Sequence, residues 1–114
     1  MNRAMLIYKV LREPEFAAFR RDGHTHGAPV DLTDGYIHLS TAQQLPGTLA
    51  KHFAVEDGLH LLALDSEELD SIRWEPSRGG DLFPHLYREL RADDVIWSRP
   101  IALGPNGHET GDLA

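Results

Sequence analysis

Two segments, Tyr36-Ile37-His38-Leu39-Ser40-Thr41 and Phe83-Pro84-His85-Leu86-Tyr87, each set a histidine among apolar residues at strand-like spacing. Imidazole has the unperturbed pKa nearest neutrality, so either ring can give or take a proton at a bound ligand. Side chains alternate across a strand, which puts Tyr36, His38 and Ser40 on one face and Ile37 and Leu39 on the other. The same alternation groups Phe83, His85 and Tyr87 against Pro84 and Leu86. Each strand thus carries a stripe of aromatic, imidazole and hydroxyl groups. If strand pairing brings the stripes together, they form one wall of a ligand site. For each ring taken singly, the plainer alternative is a histidine that only satisfies a backbone carbonyl.

Other residues extend this candidate site. Ser40 and Thr41 can bind a ligand, cap the helix that follows, or both, and a capped helix N-terminus itself favours anions. Glu75 follows Trp74 at a strand end, where a carboxylate can act as base or stabilise positive charge, or simply face water. Asp81 and Glu89 are weaker candidates of the same kind. Lys9, Arg73, Arg78 and Arg88 could converge on a diphosphate if the fold gathers them. His24-Thr25-His26 has metal-ligand spacing but lacks a third and fourth ligand, so no metal site is expected. His60 reads as a packing residue of its strand. The chain has no phosphate-binding glycine loop of the usual patterns and no Gly-x-Ser-x-Gly elbow.

The 114 residues suit a single domain, expected over residues 1–103 with a flexible tail over 104–114. With 41% hydrophobic and 25% charged residues, neither a disordered chain nor a membrane protein is expected. No apolar run nears the roughly 20 residues of a bilayer span. Lys9 comes too early for the apolar stretch of a secretion signal, so a cytoplasmic protein is expected. The absence of cysteine removes disulfides and thiolate chemistry and fits a reducing compartment. A net charge of -7 disfavours nucleic acid as a partner, because a phosphate backbone needs several Lys or Arg contacts on one surface.

The elements that must position these groups follow from pattern. Leu6 to Leu11 reads as a central strand, and Glu13-Pro14-Glu15 opens a short helix ended by Asp22-Gly23. Residues 23–35 hold three glycines and a proline among few apolar residues, which predicts a long surface loop. A strand over Tyr36 to Ser40 precedes a helix carrying Leu45, Leu49 and Phe53, with Pro46 setting its start near Leu45 or leaving its first turn loose. Strands are predicted at Leu59–Leu64, Ile72–Glu75, Phe83–Tyr87 and Asp94–Leu103, with Pro100 marking an edge or a bend in the last. The predicted class is α+β: a split, curved, mainly antiparallel sheet with two or three helices.

Taken together, Tyr8, the run Asp34-Gly35-Tyr36-Ile37-His38-Leu39-Ser40-Thr41, Trp74-Glu75 and Phe83-Pro84-His85-Leu86-Tyr87 resemble the bacterial domain of unknown function 952 family over about residues 4 to 100. The resemblance implies a fold similar to the ADP-ribosyltransferases, whose cleft binds NAD in the enzymes. It implies a site with His38, His85 and Glu75 in catalytic roles and Lys9, Tyr36, Ser40, Thr41, Phe83 and Tyr87 binding NAD or another ADP-ribose-bearing nucleotide. The sequence departs from the pattern at Lys9, where a histidine is more typical, at Asp81 in place of glutamate, and at Arg88 in place of glycine. A catalytically inactive nucleotide-binding or regulatory module is the alternative. Phosphoryl transfer from RNA or a nucleotide to NAD, a third possibility in this fold, is disfavoured by the acidic chain, which offers few residues for an RNA backbone.

Overall fold

The structure, a computed structural model, describes residues 5–113. The first four residues, on which the reading of the chain's start partly falls, and the last residue of the expected tail lie outside the described residues. Strand β1 (Leu6–Arg12) is an interior strand, one in from the edge, of a five-stranded sheet of order β10-β9-β5-β1-β4. Its antiparallel neighbours are β5 (Leu59–Asp65), paired along the whole of β1, and β4 (Ser40–Thr41). Beyond β5 lie β9 (Val95–Gly104) and β10 (Gly107–Glu109). A three-stranded sheet joins β3 (Ile37–His38), β7 (Leu82–Leu86) and β6 (Ile72–Pro76), and a small ladder joins β2 (His24–Thr25) to β8 (Leu90–Arg91). Three helices, α1 (Glu13–Asp22), α2 (Pro29–Asp34) and α3 (Leu45–His52), complete an α+β domain with a curved antiparallel sheet.

Alternation along β1 divides the core. Ile7 and Leu11 pack with Leu62 and Leu64 of β5, Phe19 of α1, and Ile37, Leu39 and Leu86. Tyr8 and Val10 pack on the other face with Leu61 and Ala63 of β5, Leu45 and Leu49 of α3, and Ile101. Each such buried aliphatic side chain contributes roughly 1.5–3 kcal/mol. Lys9 lies on the Ile7 and Leu11 stripe and is 6% exposed, so its charge must be neutralised inside the fold.

Three features differ from the sequence pattern. The strand expected over Tyr36 to Ser40 breaks at Leu39: β3 pairs with β7, the Leu39 amide donates to the Pro84 carbonyl, and β4 then pairs with β1. This crossing lets a single segment serve both sheets. The loop expected over 23–35 contains β2 and α2. Helix α2 starts with Pro29, which suits the first turn, and ends at Gly35 with φ +85°. The segment expected as a flexible tail carries β10, and its Leu113 carbonyl accepts a 2.7 Å hydrogen bond from Tyr8 Oη.

Other expectations agree with what is seen. Helix α3 begins at Leu45 with Pro46 in its first turn. Pro100 sits on β9 opposite His60, beyond the stretch that β10 covers, so on that side β9 is an edge at this position among the described residues, where a proline is tolerated. His60 stacks on Phe16 at 4.1 Å and meets Glu13 Oε2 at 2.6 Å. No helix among the described residues is long and apolar enough to cross a membrane.

Candidate functional site

The register of β3 and β7 sets His38 directly opposite His85, with ring centroids 5.3 Å apart. Tyr36 covers both, its ring 4.2 Å from that of His85 and 4.6 Å from that of His38. Four of the six residues of the two stripes read from strand alternation therefore meet in one cluster, Tyr87 joining at 5.1 Å from Tyr36, while Ser40 and Phe83 lie outside these ring contacts.

Asp31, which the sequence reading missed, organises one side of this cluster. It is 1% exposed, and its Oδ2 accepts from Lys9 Nζ at 2.7 Å and from the Ala28 amide at 2.7 Å. Its Oδ1 meets His38 Nδ1 at 2.6 Å and accepts from the His38 amide at 3.1 Å. Burial opposes the charge, but the His38 hydrogen bond and the Lys9 ammonium outweigh it and hold the carboxyl at about 2. Lys9 also donates to the His38 carbonyl at 3.2 Å. Gly27 is what lets Asp31 come so close. Its φ is +98°, and a Cβ there would overlap the Asp31 carboxylate. On its other side, His38 Nε2 meets Asp34 Oδ2 at 3.0 Å. Both ring nitrogens of His38 thus face carboxylate oxygens.

His85 is held differently. Its Nδ1 meets Glu75 Oε1 at 2.8 Å, and the Tyr87 hydroxyl donates to the same oxygen at 2.7 Å. The Tyr87 and His85 hydrogen bonds together hold the Glu75 carboxyl below the usual range, and Glu75 in turn pushes the Tyr87 hydroxyl up. His85 Nε2 is buried and has no hydrogen-bond partner among the described residues. A buried polar atom left without a partner is uncommon in folded proteins and calls for an explanation.

His85 borders a cleft of about 560 Å³, within the size range of small-molecule sites. Lys9, His38, Ser40 and Phe83 also line it, so five of the nine site residues expected from sequence meet there. The other four do not line it. Glu75 and Tyr87 stand behind His85, and Tyr36 lies over the two imidazoles. Thr41 caps the turn leading to α3, its Oγ1 accepting from the Gln44 amide at 3.2 Å while the Thr41 amide donates to Gln44 Oε1 at 3.0 Å. The hydroxyl that reaches the cleft is that of Ser40, which pairs with Thr48 Oγ1 at 2.8 Å.

Of the cations expected to converge, Arg73 and Arg88 do not join Lys9, and the Arg78 side chain lies outside the described residues. Arg73 lies over the Tyr87 ring at 4.8 Å, and Arg88 binds Asp70 and Asp94 at the far end of β7. The cleft instead gathers Arg12 and Lys51 with Lys9. Arg12 pairs with Glu56 at 2.8 Å, whereas Lys51 is exposed and makes no ion pair among the described residues.

A family match covers residues 10–98, a stretch holding Asp31, both histidine strands and Glu75. The chain belongs to that family, described as Protein of unknown function (DUF952). The crystal structure of protein CC0527 from Caulobacter crescentus is 43% identical, covering 90% of this chain and 91% of that one with a TM-score of 0.86. The solution NMR structure of CC0527 is 42% identical over 92% of this chain and 91% of that one, with a TM-score of 0.82. No curated protein matches the sequence. Within this DUF952 domain, Asp31 had a weak sequence signal: Pro29 at a helix start, a carboxylate two residues on, and Gly35 at the helix end.

Proposed function

We propose that the cleft binds NAD or another ADP-ribose-bearing nucleotide and that His85 exchanges a proton with the bound molecule. The observation that carries this reading is that His85, a residue bordering the cleft that Lys9, Arg12 and Lys51 also line, keeps a buried Nε2 without a hydrogen-bond partner among the described residues. Glu75 takes the hydrogen on Nδ1 of a neutral ring, which leaves Nε2 with a free lone pair. Such a nitrogen can accept a proton from a hydroxyl or a water attacking the ribosyl C1 carbon as the bond to nicotinamide breaks. Lys51 supplies a cation for the diphosphate, and Phe83 an apolar surface for a ring.

An ADP-ribosyltransferase-like fold belongs to the same proposal, supported by two antiparallel sheets with the cleft where the chain crosses between them. A cytoplasmic setting accords with the absence of cysteine.

The second reading is a binding or regulatory module without turnover. Glu75, the carboxylate assigned to steady an oxocarbenium-like centre, does not line the cleft and is occupied by His85 and Tyr87, which favours this alternative.

NMR titration of the imidazole resonances with NAD and with ADP-ribose tests the site. Saturable shifts of His85 and His38 support nucleotide binding, and unchanged signals at millimolar ligand overturn it. Released nicotinamide that disappears in His85→Asn selects the enzyme over the module.

A further inference from the structure

We propose that His24, His26 and Glu89 form a second site, which takes a divalent transition-metal ion of the zinc type. The His-x-His spacing places both rings on one side of the extended chain. The β2–β8 ladder pairs His24 with Arg91 and Thr25 with Leu90, so His26 and Glu89 each stand one residue past the same end of the ladder. The fold thereby supplies the third ligand that the sequence motif lacks. Glu89 Oε1 is 3.6 Å from His24 Nδ1 and 4.0 Å from His26 Nε2, and one ligand atom from each residue lies within 4.8 Å of the others.

Metal bonds of about 2.0–2.1 Å put tetrahedral ligand atoms roughly 3.3 Å apart, so small side-chain rotations close this triangle on an ion. The rings are half-exposed or more, which leaves coordination positions for water. Two imidazoles and one carboxylate favour zinc, nickel or copper over magnesium and calcium, which prefer oxygen. Arg91 Nε holds Glu89 Oε2 at 3.2 Å, directing the other oxygen toward the histidines. None of the three ligands lines the nucleotide cleft, so this site stands or falls apart from that reading. An ion here would clamp the short β2–β8 ladder just ahead of Gly27, the residue packed against Asp31.

The test is calorimetric and NMR titration of the full chain, free of any polyhistidine tag and stripped with chelator, against zinc chloride with magnesium chloride as control. The expected result is uptake of a single zinc per chain, shifts of the His24 and His26 ring signals, no response to magnesium, and a higher Tm with zinc. His26→Ala, at an exposed position, and Glu89→Gln, which keeps the side chain's size, should each weaken uptake by about tenfold or more. Absence of binding at millimolar zinc overturns the proposal. So does uptake that survives both substitutions, or a response confined to the other histidines.

Discussion

His38 and His85 are register partners across β3 and β7, yet their nitrogens have different surroundings. His38 has a carboxylate at each ring nitrogen, Asp31 at 2.6 Å and Asp34 at 3.0 Å. His85 has one carboxylate partner, Glu75 at 2.8 Å, and a second nitrogen without any. The pair is therefore not two equivalent acid–base groups. His38 is a positioned ring in a network with Asp31 and Lys9, whereas His85 keeps one nitrogen unpartnered, and this difference is why the proposed function gives proton exchange to His85.

A neutral His85 should consequently carry its hydrogen on Nδ1, with Nε2 as the unprotonated, pyridine-like nitrogen. Nitrogen-15 chemical shifts of the imidazole in the ligand-free protein read this directly. Glu75→Leu should abolish the preference and let the ring reorient, whereas Tyr87→Phe should keep it, because the Glu75 carboxylate remains. An Nε2-protonated ring in the unaltered protein would contradict the assigned role.

Asp31 makes stability depend on pH at the acid end. Its folded pKa of about 2 lies below the ordinary 3.8, so the unfolded chain binds a proton at higher pH than the folded one. The stabilisation is complete above about pH 4 and is lost as pH falls toward 2. With roughly 1.4 kcal/mol for each tenfold change in proton affinity, it amounts to about 2 kcal/mol. Asp31→Asn should remove this acid dependence and, by leaving the Lys9 ammonium buried without its partner, cost about 3–5 kcal/mol at neutral pH. Urea unfolding at a series of pH values checks both parts. A variant as stable as the parent at pH 7 would show that Lys9 finds another counter-charge.

The contrast between the histidines and Asp31 shows what a sequence makes legible. His38 and His85 stood out because strand alternation has a period of two, and each ring sits among apolar residues whose burial fixes the face. Asp31 lay hidden because α2 spans only six residues and leaves Val30 and Leu32 exposed, so no apolar periodicity marks it. The break at Leu39 escaped for a related reason: both halves of that segment are extended, and only pairing partners reveal that one belongs to each sheet. Cleft-lining by Ser40 and capping by Thr41 could not be separated from sequence, because both hydroxyls suit either task.

Gly27 should tolerate no side chain. Its φ of +98° is unfavourable for alanine, and the added Cβ would meet the Asp31 carboxylate. Gly27→Ala is expected to cost about 2–4 kcal/mol through backbone strain and steric displacement combined. Gly23→Ala is the matched control: it has a similar left-handed backbone with φ +78° but open space around the new Cβ, and should cost only about 1 kcal/mol. Chemical denaturation of the two variants gives the comparison. Equal losses would mean that backbone conformation accounts for the effect and that the close approach to Asp31 contributes nothing.

Tyr8 ties the end of the chain to the core. Its ring is 1% exposed in the cluster with Val10 and Leu61, and its hydroxyl donates to the Leu113 carbonyl at 2.7 Å. Leu113 packs against that same cluster, so residues following β10 form a cover over the Tyr8 side of the sheet. Tyr8→Phe keeps the ring and loses the anchor. It should cost about 1 kcal/mol in global stability while accelerating amide exchange and proteolytic cleavage selectively beyond Glu109. Hydrogen-exchange mass spectrometry separates the two effects, since a loss confined to global stability would speed exchange throughout the domain. Unchanged exchange at residues 110–113 would mean that this segment is loose in the parent protein as well.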